Sequence, residues 1–123
     1  GLDTDVPADG LANLFVNASV VTALDDGLAL DGANGAEREL DLRRKTYWKR
    51  VASIKVGLIL HGDKRVRLNA QPAVFDVFGP AYADALGSAD PGTRISESDM
   101  PGDLRERERR LFSSTIMLRN PSR

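Results

Sequence analysis

The clearest pattern in the chain is an alternation of apolar and polar positions over residues 51–60. Every second side chain in its centre is large and apolar: Ile54, Val56, Leu58 and Leu60. A period of two is typical of a β-strand, and here it predicts a strand with one strongly apolar face.

The segments on either side of this strand predict a small local structure. Residues 46–51 carry apolar side chains at helical spacing, which predicts a single turn leading into the strand. Gly62 and Asp63 have turn chemistry, and residues 65–69 alternate again. We therefore predict that the strand ends at a tight turn and continues as a β-hairpin.

Four further segments have enough pattern for an element. Residues 11–23 predict one strand or two short ones, and residues 74–78 predict a short edge segment. Residues 112–119 alternate partially, which predicts a closing strand. Residues 103–111 are charged and compatible with a helix.

The remaining segments have the composition of loops. Residues 1–10, 25–41 and 79–102 are rich in turn-forming residues such as Gly, Pro and Asp. Together the elements predict an α+β fold, mainly antiparallel β, with long Gly/Pro-rich loops and one or two short helices. The length of 123 residues fits a single globular domain over residues 1–123.

Composition and charge narrow the chemistry. With 17 basic and 18 acidic residues the net charge is −1. That balance creates no overall field to concentrate an anionic partner, so we expect no nucleic-acid binding. The chain has no cysteine and a single histidine, His61, which leaves little material for a transition-metal site. We expect no cofactor.

Three acidic residues near the start superficially resemble a calcium loop: Asp3, Asp5 and Asp9. An EF-hand loop would have a ligand and then a glycine at the positions of Pro7 and Ala8. We favour a polar turn whose Asp side chains cap nearby backbone amides, and we keep calcium as the alternative.

The charged segment over residues 105–110 is interpreted as a solvated helical face. A helix would place Asp103 four residues from Arg107, and Glu106 four residues from Arg110. That spacing favours ion pairs along one helix.

A second group of cations lies within residues 42–50, around Tyr47 and Trp48. Aromatic side chains interleaved with cations can bind single-stranded nucleic acid. The apolar spacing predicts instead that Trp48 packs under the following strand.

No catalytic motif is found. His61 is predicted to be solvated at the end of the strand, and neither a Gly-x-Ser-x-Gly elbow nor a Gly-rich phosphate loop occurs. The sequence therefore does not predict an enzyme. Asn17 opens a glycosylation sequon, a match that is common by chance. No apolar run approaches the roughly 20 residues of a membrane-spanning helix.

Three segments in order resemble the PilW family of type IV pilus assembly proteins. Residues 1–5 are G-L-D-T-D, residues 48–60 fit W-x-x-V-x-x-I-K-V-x-L-I-L, and residues 109–120 are R-R-L-F-S-S-T-I-M-L-R-N. Each motif alone has low specificity, because alternating apolar strands are common. Their order, and the Leu118-Arg119-Asn120 ending, raise that specificity.

The resemblance implies the C-terminal headpiece of a minor pilin, with the N-terminal pilin helix absent from these residues. It implies a structural, non-catalytic role in starting or capping pilus assembly. The implied partners are other minor pilins and pilus assembly proteins, with the membrane reached only through the missing helix. The implied location is the periplasmic face of the inner membrane and the pilus or cell surface, while this piece itself is expected to be soluble. The interface is expected on residues 25–41 and 79–102.

Two alternatives stay open: a pseudopilin of a type II secretion system, and an unrelated β-rich adhesive or ligand-binding module. A homo-oligomer is a further expectation, because an unpaired strand edge could join two copies.

Overall fold

The structure is a computed structural model, and it describes residues 1–7 and 9–118. The described residues form three α-helices and four β-strands: α1 (Ala18–Asp26), α2 (Gly35–Lys45), β1 (Ser53–Arg65), β2 (Val74–Asp76), α3 (Pro80–Leu86), β3 (Arg94–Ser96) and β4 (Arg107–Met117). Short 3-10 helices cover Tyr47–Arg50, Glu97–Asp99 and Gly102–Leu104. Antiparallel strands with short helices confirm the predicted α+β class.

The strands form two separate two-stranded sheets. The long strands β1 and β4 pair with each other, and the short strands β2 and β3 form an antiparallel pair. Beyond one end of the long ladder, the Val66 N–H donates to the Glu106 carbonyl at 3.0 Å. Beyond the other end, the Leu118 N–H donates to the Ala52 carbonyl at 2.8 Å. The two long strands therefore also run antiparallel.

The chain divides into two compact units. The first contains Gly1–Ile54 and the residues from Thr115 onward, and the second is Lys55–Ser114. The long strands contribute residues to both units. The single domain expected from the length stays a prediction.

In the first unit, polar side chains begin the helices. The Asn17 side chain accepts a hydrogen bond from the Val20 N–H at 3.1 Å and so caps α1. Asn34 accepts from the Glu37 N–H at 3.0 Å, while the Glu37 carboxylate accepts from the Ala33 N–H at 2.7 Å. This reciprocal arrangement resembles a capping box, and it starts α2 in a segment with few apolar residues.

In the second unit, a small apolar centre lies beside β1. Val77 and Ala83 are buried, and the Phe78 and Tyr82 rings meet edge to face at 5.7 Å. Gly57 of β1 approaches so closely that a Cβ there would overlap Val77 Cγ1. A glycine at this position therefore lets the strand lie against the buried valine.

Several predicted elements are wrong in type. Residues 11–23 were expected to be strands, but α1 begins at Ala18 because Asn17 caps it. Residues 25–41 were expected to be a loop, yet α2 begins at Gly35. The sequence of α2 is so highly charged that it shows little of the apolar periodicity that predicts a helix. Residues 79–102 contain α3 and β3, where Pro80 fits the first turn of a helix.

The predicted hairpin is also wrong. β1 continues through Gly62 and Asp63 to Arg65, and its partner is β4. The predicted helix over residues 103–111 is mostly strand, because β4 begins at Arg107. The turn before β1, the first half of β1, the short strand β2 and the closing strand over residues 112–117 are confirmed. Residue 119 of the predicted closing strand lies outside the described residues.

Candidate interaction surface

The two faces of β1 have different surroundings. One face carries Gly57 and the partly buried Ile59, and it lies against Val77 and Phe78. The other face carries the apolar positions of the sequence pattern, since successive side chains of a strand point to opposite sides. Within the second unit, β1 therefore has one face packed against Val77 and Phe78 and an opposite face whose apolar side chains stay partly exposed.

The opposite face is apolar and partly exposed. In the second unit Val56, Leu58 and Leu60 are 39%, 57% and 55% exposed. On the paired strand β4, Phe112 is 51% exposed. The hydrogen bond from Leu118 N–H to the Ala52 carbonyl sets an antiparallel register that puts Phe112 opposite Leu58, so both side chains lie on the same face. We call the four residues Val56, Leu58, Leu60 and Phe112 the open strand face. Contiguous exposed apolar side chains are typical of protein–protein contact sites.

Near the start of β4 lies a cluster of charged side chains formed by Glu97, Arg67 and Arg109, which we call the Glu97 cluster. The side chains of Glu97 and Arg109 are 3% and 2% exposed, and their Oε1 and Nη1 atoms are 2.6 Å apart. Arg67 reaches the other carboxylate oxygen at 3.5 Å. The Arg109 guanidinium also donates to the Leu104 carbonyl.

Backbone donors complete the coordination of this carboxylate. The Glu106 N–H donates to Oε1 at 2.7 Å and the Ala73 N–H donates to Oε2 at 3.1 Å. These contacts hold the pKa of Glu97 below its usual value, with the Ala73 N–H contributing most and burial opposing the shift. Glu97 therefore joins the segment before β2, the end of β3 and the start of β4 as an ionised, fully hydrogen-bonded group.

The three N-terminal aspartates do converge. Carboxylate oxygens of Asp3, Asp5 and Asp9 lie within 4.8 Å of one another, with Asp3 buried and the other two exposed. Asp3 accepts hydrogen bonds from the backbone N–H groups of Asp5 at 3.1 Å and Gly10 at 2.6 Å.

Amide donors satisfy the other two aspartates as well. Asp5 accepts from the Asn13 side-chain amide at 2.8 Å, and Asp9 accepts from the Leu11 N–H at 2.8 Å. These contacts have the geometry of the turn that the sequence favours. Calcium binding at Asp3, Asp5 and Asp9 stays an untested alternative.

The interpretation of residues 105–110 as a helical face is wrong. Glu106 pairs with Arg65 of β1, and Arg110 lies 3.9 Å from Glu108. Arg107 donates to the backbone carbonyl of Asp103 at 2.9 Å. Both strand faces in this segment carry charged side chains, so apolar periodicity could not reveal the strand.

Other candidates have simpler surroundings. Trp48 is 48% exposed, so it is not packed under the strand as predicted. His61 is exposed within β1, and its Nδ1 lies 2.8 Å from the Gly62 carbonyl. Asn17 of the glycosylation sequon uses its side chain to cap α1.

Sequence reasoning missed the Glu97 cluster entirely. Its two buried partners are 12 positions apart, and Glu97 stood in a segment interpreted as a loop. The sequence offers only a weak signal for this cluster, an excess of arginine at residues 105–110, and it does not show which acidic residues these arginines contact.

None of the helices in the described part of the chain has the length and apolarity needed to cross a membrane. Comparison with known proteins gives one positive result. The family model for type IV pilus-assembly protein W matches residues 1–120, nearly the whole chain. No curated protein and no solved structure matches. The match covers all three segments on which the resemblance rests, including residues 119 and 120, which lie outside the described structure. This chain belongs to the type IV pilus-assembly protein W family.

Proposed function

We propose that this chain is the headpiece of a minor pilin and acts as a structural, non-catalytic component of type IV pilus assembly. In this proposal it helps to start or cap assembly by contact with other minor pilins. The observation that carries the proposal is the open strand face of Val56, Leu58, Leu60 and Phe112 in a member of a pilus-assembly family.

Family membership implies involvement in type IV pilus assembly and a location in the cell envelope. It also suggests interaction with other pilus proteins, and the family is not a known enzyme family. The finer points are proposed: the minor-pilin role, the periplasmic face of the inner membrane as the site of assembly, and anchoring by an apolar N-terminal helix outside these residues.

The physical support comes from the energetics of the open strand face. Burial of apolar surface stabilises an association by roughly 25 cal/mol per Å². Leu58 and Leu60 are more than half exposed, so a partner that buried them would gain this free energy of association. We therefore place the contact surface here. The sequence predicts a contact surface on residues 25–41 and 79–102, which include part of α2 and all of α3 and β3. That surface stays an untested prediction.

The surroundings of the titratable groups support a non-catalytic role. The Glu97 carboxylate already accepts from two backbone N–H groups and lies against two arginines. A general acid or base must instead exchange a proton with a substrate within hydrogen-bond reach. Glu97 is therefore better suited to hold strands together than to act on a substrate.

The proposal is tested in the bacterium that carries the gene. The chromosomal copy is replaced by a Leu58→Lys variant, and surface pili are counted by electron microscopy while protein level is followed by immunoblot. We expect normal protein level and at least a several-fold loss of pili. The matched control is Lys64→Glu, which changes an exposed charge on the same strand and should leave piliation intact.

A second measurement addresses anchoring. The full-length protein is incubated with prepilin peptidase, and cleavage ahead of an apolar helix is expected. Normal piliation in the Leu58→Lys strain would refute the proposed contact surface. Normal piliation combined with lost protein secretion on deletion of the gene would assign the chain to a secretion system instead.

A further inference from the structure

A cavity in the first unit is lined by cations and lies between the end of α2 and the following 3-10 helix. Its volume is about 400 Å³, within the range of small ligand sites. The lining residues are Leu28, Arg44, Lys45, Thr46, Tyr47, Lys49 and Arg50. The charged side chains lining it in the described part of the chain are all cations. Asp25 accepts hydrogen bonds from Thr46 and Tyr47, and Asp41 contacts Arg44 and Lys45, so the charge offered to a ligand comes from the cationic donors that these carboxylates leave free.

Lys45 forms a fixed wall of this cavity. Its Nζ atom donates to the Ala29 carbonyl at 3.0 Å and to Asp31 at 2.8 Å, and it lies 2.7 Å from Asp41. Asp31 and Asp41 raise the pKa of this ammonium, with the Asp31 hydrogen bond contributing most. Lys45 therefore stays charged, and its three donors are already in use.

Arg44 has donors to spare. One Nη2 contact joins it to Asp41 at 3.0 Å, while its side chain is 78% exposed. Asp41 is itself buried, with 3% of its side chain exposed. A guanidinium has five N–H donors in a planar fork, so Arg44 can hold the buried aspartate and still bind a second oxyanion.

Arg50 is positioned by stacking. Its guanidinium carbon lies 5.6 Å from the centre of the Tyr47 ring, within the distance of a cation–π contact. A guanidinium held over a ring keeps its N–H edges available, and it loses less rotamer freedom when it forms a bidentate contact. Arg44 and Arg50 are therefore the two groups best suited to grip an anion.

We propose that this cavity binds a carboxylate of an acidic segment on a partner protein. Arginine forks match carboxylates in bidentate geometry, and such pairs combine charge with directional hydrogen bonds. The partner being a protein rests on the proposed role in pilus assembly. The cavity residues belong to the first unit and the open strand face to the second.

The surroundings disfavour a nucleic acid. Asp31 stands beside the cavity with its side chain 89% exposed, and the nearby α1 ends in Asp25 and Asp26. The phosphates of a nucleic acid lie in its backbone, which would have to pass these carboxylates, whereas a glutamate side chain can extend its carboxylate into the cavity while the peptide backbone stays outside.

The chain contains a probe for this binding. Trp48 is its single tryptophan, it directly follows Tyr47 and it is half exposed. Its fluorescence is measured while the purified 123-residue chain is titrated with an acetylated hexaglutamate peptide at low ionic strength. We expect a saturable change that weakens at 0.5 M NaCl, because salt screens exposed charge. A hexalysine peptide should give no change.

Matched variants locate the binding. Arg44→Gln and Arg50→Gln should each weaken hexaglutamate binding about tenfold, the effect of losing one bidentate contact worth about 1.4 kcal/mol. Arg43→Gln is the control, since Arg43 is adjacent, 71% exposed and outside the cavity lining. The exposure of Arg44 makes its replacement compatible with folding, which circular dichroism verifies for each variant.

Two further titrations identify the source of the anion. Inorganic phosphate and a twelve-residue oligo-dT are tested under the same conditions. Tighter binding of either one than of hexaglutamate would overturn the proposal, as would equal binding by the Arg44→Gln and Arg43→Gln variants. If hexaglutamate fails to bind while Leu58→Lys still removes pili, the cavity proposal fails alone and the proposed function stands.

Discussion

Two regions of the second unit reverse the usual distribution of side chains. On the open strand face, Leu58 and Leu60 are more than half exposed although they are purely apolar. In the Glu97 cluster, Glu97 and Arg109 are almost completely buried although both are charged. The apolar stretch of the sequence thus lies at the surface, and part of its most charged stretch lies inside.

The difference indicates that the two regions contribute to different properties of this unit, stability and association. Buried charge costs desolvation free energy, and the cost is offset only when every partner is present. The Glu97 cluster meets that condition through two arginines and two backbone N–H groups. On the open strand face, Leu58 and Leu60 stay more than half exposed, which leaves apolar surface for association. Stability and association should therefore respond to different substitutions.

The largest effect is expected from Glu97→Ala. It leaves the Arg109 guanidinium buried without its carboxylate, and breaking a buried pair in this way costs about 3–5 kcal/mol. Urea denaturation monitored by circular dichroism measures the loss. Glu108→Ala is the control, because that side chain is 67% exposed and lies 3.9 Å from Arg110. Equal losses for the two variants would show that the Glu97 cluster does not hold the unit together.

A smaller effect is expected from Gly57→Ala. The new Cβ would overlap Val77 Cγ1 on the packed face, and overpacking of this kind costs about 1–3 kcal/mol. Gly62→Ala on the same strand is the control, since its nearest neighbour would be the Glu108 carbonyl oxygen at 3.9 Å. Thermal unfolding compares the two. A tolerated Gly57→Ala would mean that the packed face of β1 is looser than its contacts indicate.

The sequence predicts the open strand face better than the Glu97 cluster, and the reason is physical. Alternating apolar residues predict a strand at residues 51–60 whatever covers the strand, because the pattern depends on backbone geometry alone. The same pattern does not say whether its apolar face is buried within the chain or by a partner. Exposure had to come from the structure.

The secondary structure of the charged regions could not be predicted from periodicity, for another reason. At residues 105–110 charged side chains occupy both alternating sets of positions, so no apolar period distinguishes a strand from a helix. The pairing of Arg109 with Glu97 depends on tertiary contacts that spacing does not encode. The helix α2 was missed similarly, because its start is fixed by the Asn34 cap within a run of turn-forming residues.

Acid should weaken the Glu97 cluster. The folded pKa of Glu97 is lowered, so its contribution to stability is complete above the unfolded value of about 4.3 and is lost as pH falls through the folded pKa. Asp76 and Glu106 share this direction, because arginines lower their pKa values as well. The informative quantity is therefore a difference: between pH 7 and pH 3, Glu97→Gln should lose less stability than the wild type. Parallel stability curves would contradict the assignment.

The smallest effect on the free chain is expected on the open strand face. Leu58→Lys replaces a side chain that is 57% exposed, so the free energy of unfolding should change by no more than about 0.5 kcal/mol. Its neighbour Ile59 is partly buried on the opposite face, and Ile59→Lys should cost several times more, because a charge would enter packed surroundings. Urea titrations of the two variants test this contrast between adjacent residues. If Leu58→Lys destabilises the chain as much as Ile59→Lys, then Leu58 belongs to the core of the isolated chain and its exposure cannot be explained by a partner. If Leu58→Lys leaves stability unchanged and still removes pili, the apolar face acts in association alone.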